Sequence, residues 1–357
     1  MSAIAGRSGL VAYPPWSQIA RLHYPTAARA ANFLDASRSR FKPDRLLIQA
    51  LDIENIIDKA SLIVGRYTTS LACLDLFNRG IPVLLDVDDL DSAALRSEAE
   101  SISLSSFRRW NARRHLKNVK MLEADIIGQA DAVWVVNPED RIQPGLSHAR
   151  VLPNIPFLPP NGHFNSLPLN VDNEIVGCVA SFGHSPNVEA VNWFLHNVWP
   201  QVYQQRPKSE FRIFGSQLPD NLANQWAEVP GVTPIGFIEH VEDAYAQMTL
   251  SICPVQRGAG TNIKVLESAM HNRLCILTKS AARGLEAESS VKNSLIVANS
   301  STHMIEIINH YLENPELNRS ATSIFSAAVA NHYSKSRFTE TVQRTINELF
   351  NNNPTRA

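Results

Sequence analysis

The feature that most limits the fold is the spacing of short apolar runs. Val, Ile and Leu gather in runs of four to seven residues, and most of the gaps between them read as helices. In the first half these runs are Arg45–Leu51, Ala60–Val64, Ile81–Asp86, Ala132–Val136 and Arg150–Pro153. Ser70–Arg79 lies between two of them and reads as a helix closed by Gly80, and 107–129 reads as one long helix. Continuous rather than alternating apolar runs describe strands buried on both faces, as in a parallel sheet. The pattern therefore predicts an α/β chain with doubly wound parallel sheets.

The alternation stops between 153 and 173, where Pro153, Pro156, Pro159, Pro160 and Pro168 are concentrated, and then restarts. Strands are expected at Ile175–Ala180, Glu210–Phe214, Val232–Ile235, Leu250–Pro254, Leu274–Thr278 and Leu295–Ala298. Helices are expected at Asn187–Gln205, Asp220–Glu228, Val241–Met248, Ile263–His271, Ser301–Leu312 and Phe338–Phe350. This gives an N-terminal domain over 1–155, a linker over 156–173 and a second domain over 174–335. A helical tail over 336–357 is expected to cross back to the first domain. Residues 1–40 are less regular, with a break at Tyr13-Pro14-Pro15-Trp16 and an Ala-rich helix from Ile19 to Leu34.

Composition removes several classes. A chain of 357 residues, 44% hydrophobic and 19% charged, holds enough apolar material for two cores and is not a disordered chain. Lys and Arg number 33 against 34 Asp and Glu, so bulk charge gives no reason to expect a nucleic-acid partner. Cys73, Cys178, Cys253 and Cys275 stand far apart, without a zinc spacing or a disulfide framework, which fits a reducing cytoplasm. The first residues lack a signal-peptide pattern, and no apolar run reaches the ~18 residues of a membrane span.

The stretch richest in chemistry is Pro254-Val-Gln-Arg-Gly-Ala-Gly-Thr-Asn-Ile-Lys-Val-Leu-Glu267. It follows a strand and opens a helix. Gly258 and Gly260 let backbone N–H groups approach a ligand, and the helix N-terminus adds unpaired donors and partial positive charge. Arg257 and Lys264 flank it, which makes a site suited to a diphosphate. Glu267, about one turn beyond Lys264, is placed to accept hydrogen bonds from two ribose hydroxyls. The plainer alternative is a glycine-rich turn before an ordinary helix.

This segment and its neighbours resemble the donor domain of family-4 glycosyltransferases, the glycosyl transferases group 1 superfamily, which have the GT-B fold. The likeness runs in order through Val179–Phe194, Val198–Pro200, Phe211–Gly215, Pro230–Ile238, Arg257–Glu267 and Thr278–Leu285. A fainter likeness covers Val83–Ser92, Ala130–Asn137 and Arg150–Asn154. The resemblance implies two Rossmann-like domains facing a cleft. It implies retaining, metal-independent transfer of a sugar from a nucleotide-sugar donor to the hydroxyl of a sugar, lipid-linked or polysaccharide acceptor, with no cofactor. It places Gly183, His184, Gly236, Phe237, Gly258, Ala259, Gly260, Thr261, Asn262, Ile263 and Glu267 around the nucleotide sugar. Arg257 and Lys264 would stabilise the leaving diphosphate, and Asp88 would stand at the acceptor side.

The sequence departs from the family pattern at named positions. Ala259 occupies the place of the first of two Glu residues eight positions apart. Val87 and Asp88 occupy a loop where many relatives carry His, and the early glycines are only Gly6 and Gly9, with no strand before them. These departures keep two alternatives open: an inactive glycosyltransferase-like binding subunit, and a nucleotide-sugar hydrolase or epimerase. Asp86, Asp88 and Asp89 look like a metal-binding DxD, but that motif belongs to the GT-A fold, so no metal site is assigned. Finally, Arg108, Arg109, Arg113, Arg114, Lys117 and Lys120 are interleaved with Phe107, Trp110 and Leu116. Such a face can dock on an anionic bilayer, giving a cytoplasmic protein peripheral to the inner membrane face; a solvated, salt-bridged helix is the plainer alternative.

Overall fold

The computed structural model describes Pro43 and residues 45–50, 52–77, 79–100, 105–156, 173–257, 260–285 and 288–352. The expected helix at Ile19–Leu34, most of the proline-rich linker, Gly258 and Ala259 lie outside the described residues. The chain forms two compact units. Unit 1 takes the described parts of 1–135, 140–151 and 343–357; unit 2 takes those of 136–139 and 152–342.

Unit 1 begins with helices α1 (Arg45–Ala50) and α2 (Ile53–Ile57). Strand β1 (Ile63–Arg66), helix α3 (Thr68–Cys73), strand β2 (Val83–Asp86) and helices α4 (Asp91–Glu100) and α5 (Ser106–Gln129) follow. Strands β3 (Ala132–Val135) and β4 (Arg150–Val151) complete a parallel sheet in the order β1-β2-β3-β4. The parallel register pairs Leu84 with Ala132 and Leu85 with Val133. Leu71, Leu85, Val83, Val135 and Leu146 lie at the centre of its core.

Two expectations in this unit are corrected. The apolar run Arg45–Leu51 predicts a strand, but 45–50 is helical. Leu, Gln and Ala favour helix, only Ile48 is β-branched, and an apolar run this short carries no decisive period. The helix expected over Ser70–Arg79 starts at Thr68 and stops at Cys73, because Asp75 turns into the left-handed region at φ 53°.

Unit 2 holds strands β5 (Ile175–Val179), β6 (Glu210–Phe214), β7 (Val232–Gly236), β8 (Leu250–Cys253), β9 (Cys275–Thr278) and β10 (Ile296–Ala298). Its helices are α6 (Ser185–Asn197), α7 (Trp199–Gln205), α8 (Asp220–Ala227) and α9 (Val241–Ala246). Then come α10 (Ile263–Met270), α11 (Ser289–Ser294), α12 (Ser301–Glu313) and α13 (Pro315–His332). Helix α14 (Lys335–Asn352) starts in unit 2 and ends in unit 1.

The six strands are parallel in the order β10-β9-β8-β5-β6-β7. Numbered from β5, this is the doubly wound order 3-2-1-4-5-6, and the chain reverses direction across the sheet between β5 and β8. Loops leaving the carboxyl ends of strands at such a switch point line a crevice. Every residue of β8 and β9 is buried, as their continuous apolar sequences require, whereas edge strand β7 is half-exposed and tolerates Pro234.

The single helix expected over Asn187–Gln205 is two helices. Val198 leaves helical geometry at φ −125°, and Pro200, which has no N–H to donate backwards, sits in the first turn of α7. Helix α13 escaped the sequence pattern altogether. Its inward stripe is Asn318, Thr322, Phe325 and Val329, so half of the repeat is polar. Asn318 and Thr322 satisfy each other instead, with Thr322 Oγ1 donating to Asn318 Oδ1 at 3.0 Å.

Candidate functional site: the carboxyl ends of β5, β8 and β9

Three loops meet at the switch point of unit 2. The loop after β5 carries Gly183 and His184 and leads into α6. The loop after β8 carries Arg257 and runs to α10. The turn after β9 is tied to it, with Ser280 Oγ donating to Gln256 O at 2.8 Å and Thr278 Oγ1 donating to Val255 O. These bonds satisfy carbonyls that an irregular loop would otherwise leave unpaired, and they fix where Arg257 leaves the backbone.

Arg257 meets Glu189 of α6 side-on. Its Nε donates to Glu189 Oε2 at 2.7 Å, and its Nη2 pairs with Oε1. Lys264, in the first turn of α10, donates from Nζ to Asn187 Oδ1 at 2.6 Å. Lys264 also acts on the thiols of Cys178 in β5 and Cys253 in β8. Burial raises both, Cys178 to about 12, while the nearby ammonium opposes the rise. The charge of Lys264 thus acts at the switch point itself. Tyr245 OH donates to Lys264 O at 3.1 Å and steadies the start of α10 from below.

Asn262 stands at the cap position of α10, but its side chain does not cap; Nδ2 donates to Ala281 O at 3.3 Å. The first N–H groups of α10 therefore lack a side-chain acceptor; Ile263 N donates to Thr261 O at 3.0 Å and Val265 N to Asn262 O at 2.9 Å, so these backbone carbonyls stand in for the cap. Thr261 Oγ1 donates to Asn137 Oδ1 at 2.8 Å. Gly284, at φ +79°, lies against this pair: a Cβ there would sit 1.8 Å from Asn137 Oδ1. Asn137 is fully buried, and its Nδ2 has no hydrogen-bond partner among the described residues.

Glu267 lies one turn further along α10 and is half-buried. Burial raises its carboxyl above the usual range, and Lys264 partly restores it. Its charge also reaches the Tyr245 hydroxyl, which burial holds well above the ordinary tyrosine value. His184 is exposed at the N-cap position of α6, with Gly183 beside it. Gly236 and Phe237 stand at the end of β7, two strand spacings or about 10 Å from β5. Gly236 has φ +78°, and Phe237 is 72% exposed, more than any other aromatic ring of the described residues.

The structure thus gathers Gly183, His184, Arg257, Gly260, Thr261, Asn262, Ile263, Lys264 and Glu267 around one switch point. Gly236 and Phe237 lie on its flank. Asp88 belongs to unit 1, where it lies at the carboxyl end of β2 with φ 47°. It accepts from Arg66 Nη2 at 2.5 Å and from Tyr67 OH at 3.1 Å. Asp86 beside it is raised to about 6 by burial and by the charge of Asp88, against the pull of Arg66. Nothing in the sequence pattern marks Asn137, Asn187 or Glu189 for a role in the site. An ion pair between residues 68 positions apart leaves no local signal; the one available hint was that Asn187 and Glu189 open a helix directly after β5.

Two units of parallel α/β structure, one in the 3-2-1-4-5-6 order with a helix N-terminus at its switch point, define the GT-B class of fold. Residues 173–314 match the family model described as glycosyl transferases group 1, in agreement with the resemblance read from the sequence. Solved structures of glycosyltransferases share the fold. Sucrose-phosphate synthase of Thermosynechococcus elongatus matches with a TM-score of 0.63 at 16% identity, covering 96% of this chain and 82% of that one. HepE of Anabaena, solved with UDP and glucose, gives 0.60 at 14% identity over 84% and 80%. S. aureus TarM gives 0.57 at 13% identity over 81% of this chain, which spans only 55% of TarM. No curated protein matches the sequence.

Proposed function

We propose that the protein is a glycosyltransferase that moves a sugar from a nucleotide-sugar donor to an acceptor hydroxyl, with retention and without a metal ion. The observation that carries this reading is the pairing of Arg257 and Lys264 around the N-terminus of α10 at the switch point. Amides, a helix dipole and two cations in one place suit a diphosphate, whose charge grows as the glycosidic bond breaks. Glu267 takes the ribose hydroxyls, Gly236 and Phe237 flank the base, and Gly183 and His184 border the sugar. Catalysis is then mainly positioning, with the leaving phosphate assisting removal of the acceptor proton and Asp88 on the acceptor side. HepE and TarM were solved with UDP, which supports a nucleotide donor here. The acceptor is a polysaccharide, glycolipid or similar sugar. The reading includes a cytoplasmic location with peripheral membrane contact through residues 108–120.

The test is a panel of UDP-, GDP- and ADP-sugars with saccharide and glycolipid acceptors, with and without chelator. Transfer with retained anomeric configuration and no chelator effect is expected from one donor. Lys264→Ala and Arg257→Ala should each lower kcat by about 100-fold, the scale for losing one preorganised donor to developing charge. Ala259, in place of the first acidic residue of the family pattern, favours a second reading, a nucleotide-binding subunit without turnover. Tight nucleotide binding with no transfer or donor hydrolysis across the panel would select it.

A further inference from the structure

We infer that Asn187 and Glu189, in the first turns of α6, are positioning residues that hold the two cations of the diphosphate site in register; the inference rests on the nucleotide-sugar reading above. Arg257 and Lys264 both come from the β8 side of the switch point, and both are held from the β5 side. Asn187 is an adaptor. Its Nδ2 donates to Ser181 O at 2.8 Å, which fixes the amide plane, and its Oδ1 then faces Lys264 Nζ at 2.6 Å. A carbonyl oxygen locked in this way directs the ammonium without cancelling its charge.

Glu189 does the corresponding work on Arg257. The side-on pair engages Nε and Nη2, two of the three guanidinium nitrogens, so the planar group has one orientation and its remaining edge points away from Glu189. An unheld arginine carries rotamer entropy that an incoming phosphate would otherwise have to remove. Both side chains of the pair are about three-quarters covered, at 24% and 28% exposure, so the contact is more than a loose surface pair. The two tethers also span the crevice: a displacement of α6 moves both cations together.

The effect of such tethers falls on phosphate recognition and not on the nucleoside. The experiment is calorimetric titration of the full chain with UDP, GDP and ADP, each against its own nucleoside, and with inorganic pyrophosphate. Glu189→Ala and Asn187→Ala should weaken the best diphosphate, and pyrophosphate, by about 10-fold, the scale of one charge-assisted hydrogen bond. The matching nucleoside should change less than about twofold. Glu189→Gln, which keeps the shape and one acceptor oxygen, should fall between. Because Glu189 acts through Arg257, the Glu189→Ala/Arg257→Ala double variant should bind no more weakly than Arg257→Ala alone. Unchanged or tighter diphosphate binding by the Glu189 and Asn187 variants overturns the inference, as does a parallel loss of nucleoside and diphosphate. If Arg257→Ala and Lys264→Ala weaken binding while the tether variants do not, the inference alone falls. If the unaltered protein binds none of the three diphosphates, the nucleotide-sugar reading falls first.

Discussion

At the scale of single residues, burial sets the chemistry of two carboxylates differently. Glu267 is raised by burial and held back by Lys264, so its ionised, hydrogen-bond-accepting form is lost at a higher pH than for an ordinary glutamate. Nucleotide affinity should therefore weaken as pH falls through that raised value. Glu267→Ala should cost about 1.5–3 kcal/mol at neutral pH, Glu267→Gln less, and neither variant should show the acid limb. Calorimetry from pH 5 to 8 checks both. Asp86 is raised to about 6, above its unfolded value, so the fold favours its neutral form. The stability this contributes is complete below about pH 4 and is lost as pH rises through about 6. Asp86→Asn should thus stabilise the protein at pH 8 by about 1–2 kcal/mol and leave it unchanged at pH 4, read by denaturant titration at the two values. The motif residues were legible because glycine, lysine and glutamate at fixed offsets speak for themselves. Glu189 was not, since what identifies it is a partner brought near by the topology.

At the scale of elements, the clearest case is α5. Its inner stripe is Ala112, His115, Val119, Glu123, Ile126 and Ile127, and one of these is a carboxylate. Glu123 is accommodated because its Oε1 accepts from Ser92 N at 3.1 Å in the first turn of α4. The outer stripe is Phe107, Trp110, Arg114, Lys117 and Met121, all exposed, with Arg113 beside it. Phe107 and Trp110 stack at 5.9 Å, and the Arg114 guanidinium lies 5.6 Å over the Trp110 ring. Residues 1–42 carry Arg7, Arg21, Arg29, Arg38, Arg40 and Lys42 against Asp35 alone, so that stretch of sequence is itself cationic. If this face docks on a bilayer, vesicles containing phosphatidylglycerol should sediment with the protein and release it as salt rises. Purely phosphatidylcholine vesicles should not, and Arg113→Glu/Lys117→Glu should abolish the difference without touching nucleotide affinity. Equal partition onto both vesicle types would leave the solvated helix as the explanation. The apolar-run rule located every described strand of unit 2; β8 and β9 are buried throughout and continuous in sequence, while β6 and β7 are only partly buried and are marked by β-branched and aromatic residues. It misread α1 for want of length and missed α13, where Asn318 and Thr322 hide the repeat.

At the scale of the whole molecule, the two units have separate cores, one around Leu71 and Leu85 and the other around Phe194, Phe211 and Leu277. A single unfolding temperature is then not the expected behaviour. Scanning calorimetry should resolve two transitions, and a nucleoside diphosphate should raise the one belonging to unit 2 by mass action while leaving the other in place. Sequence anticipated the two-sheet plan. It also anticipated a helical tail, but not which side chains hold the tail. Trp134 Nε1 donates to Thr345 Oγ1 at 3.1 Å, and Arg150 pairs with Glu348, so the last turns of α14 are tied to β3 and β4 of unit 1. This has a consequence for how the chain comes off the ribosome. Every strand of unit 1 emerges before any strand of unit 2, yet the side chains that close unit 1 are synthesised after all of them. Unit 2 has its whole sequence first and matures first, while the older half waits with the indole N–H of Trp134 unanswered. A released chain truncated after residue 342 should accordingly present a protease-resistant second half and a first half that is still being cut, reversing the order in which the two were made.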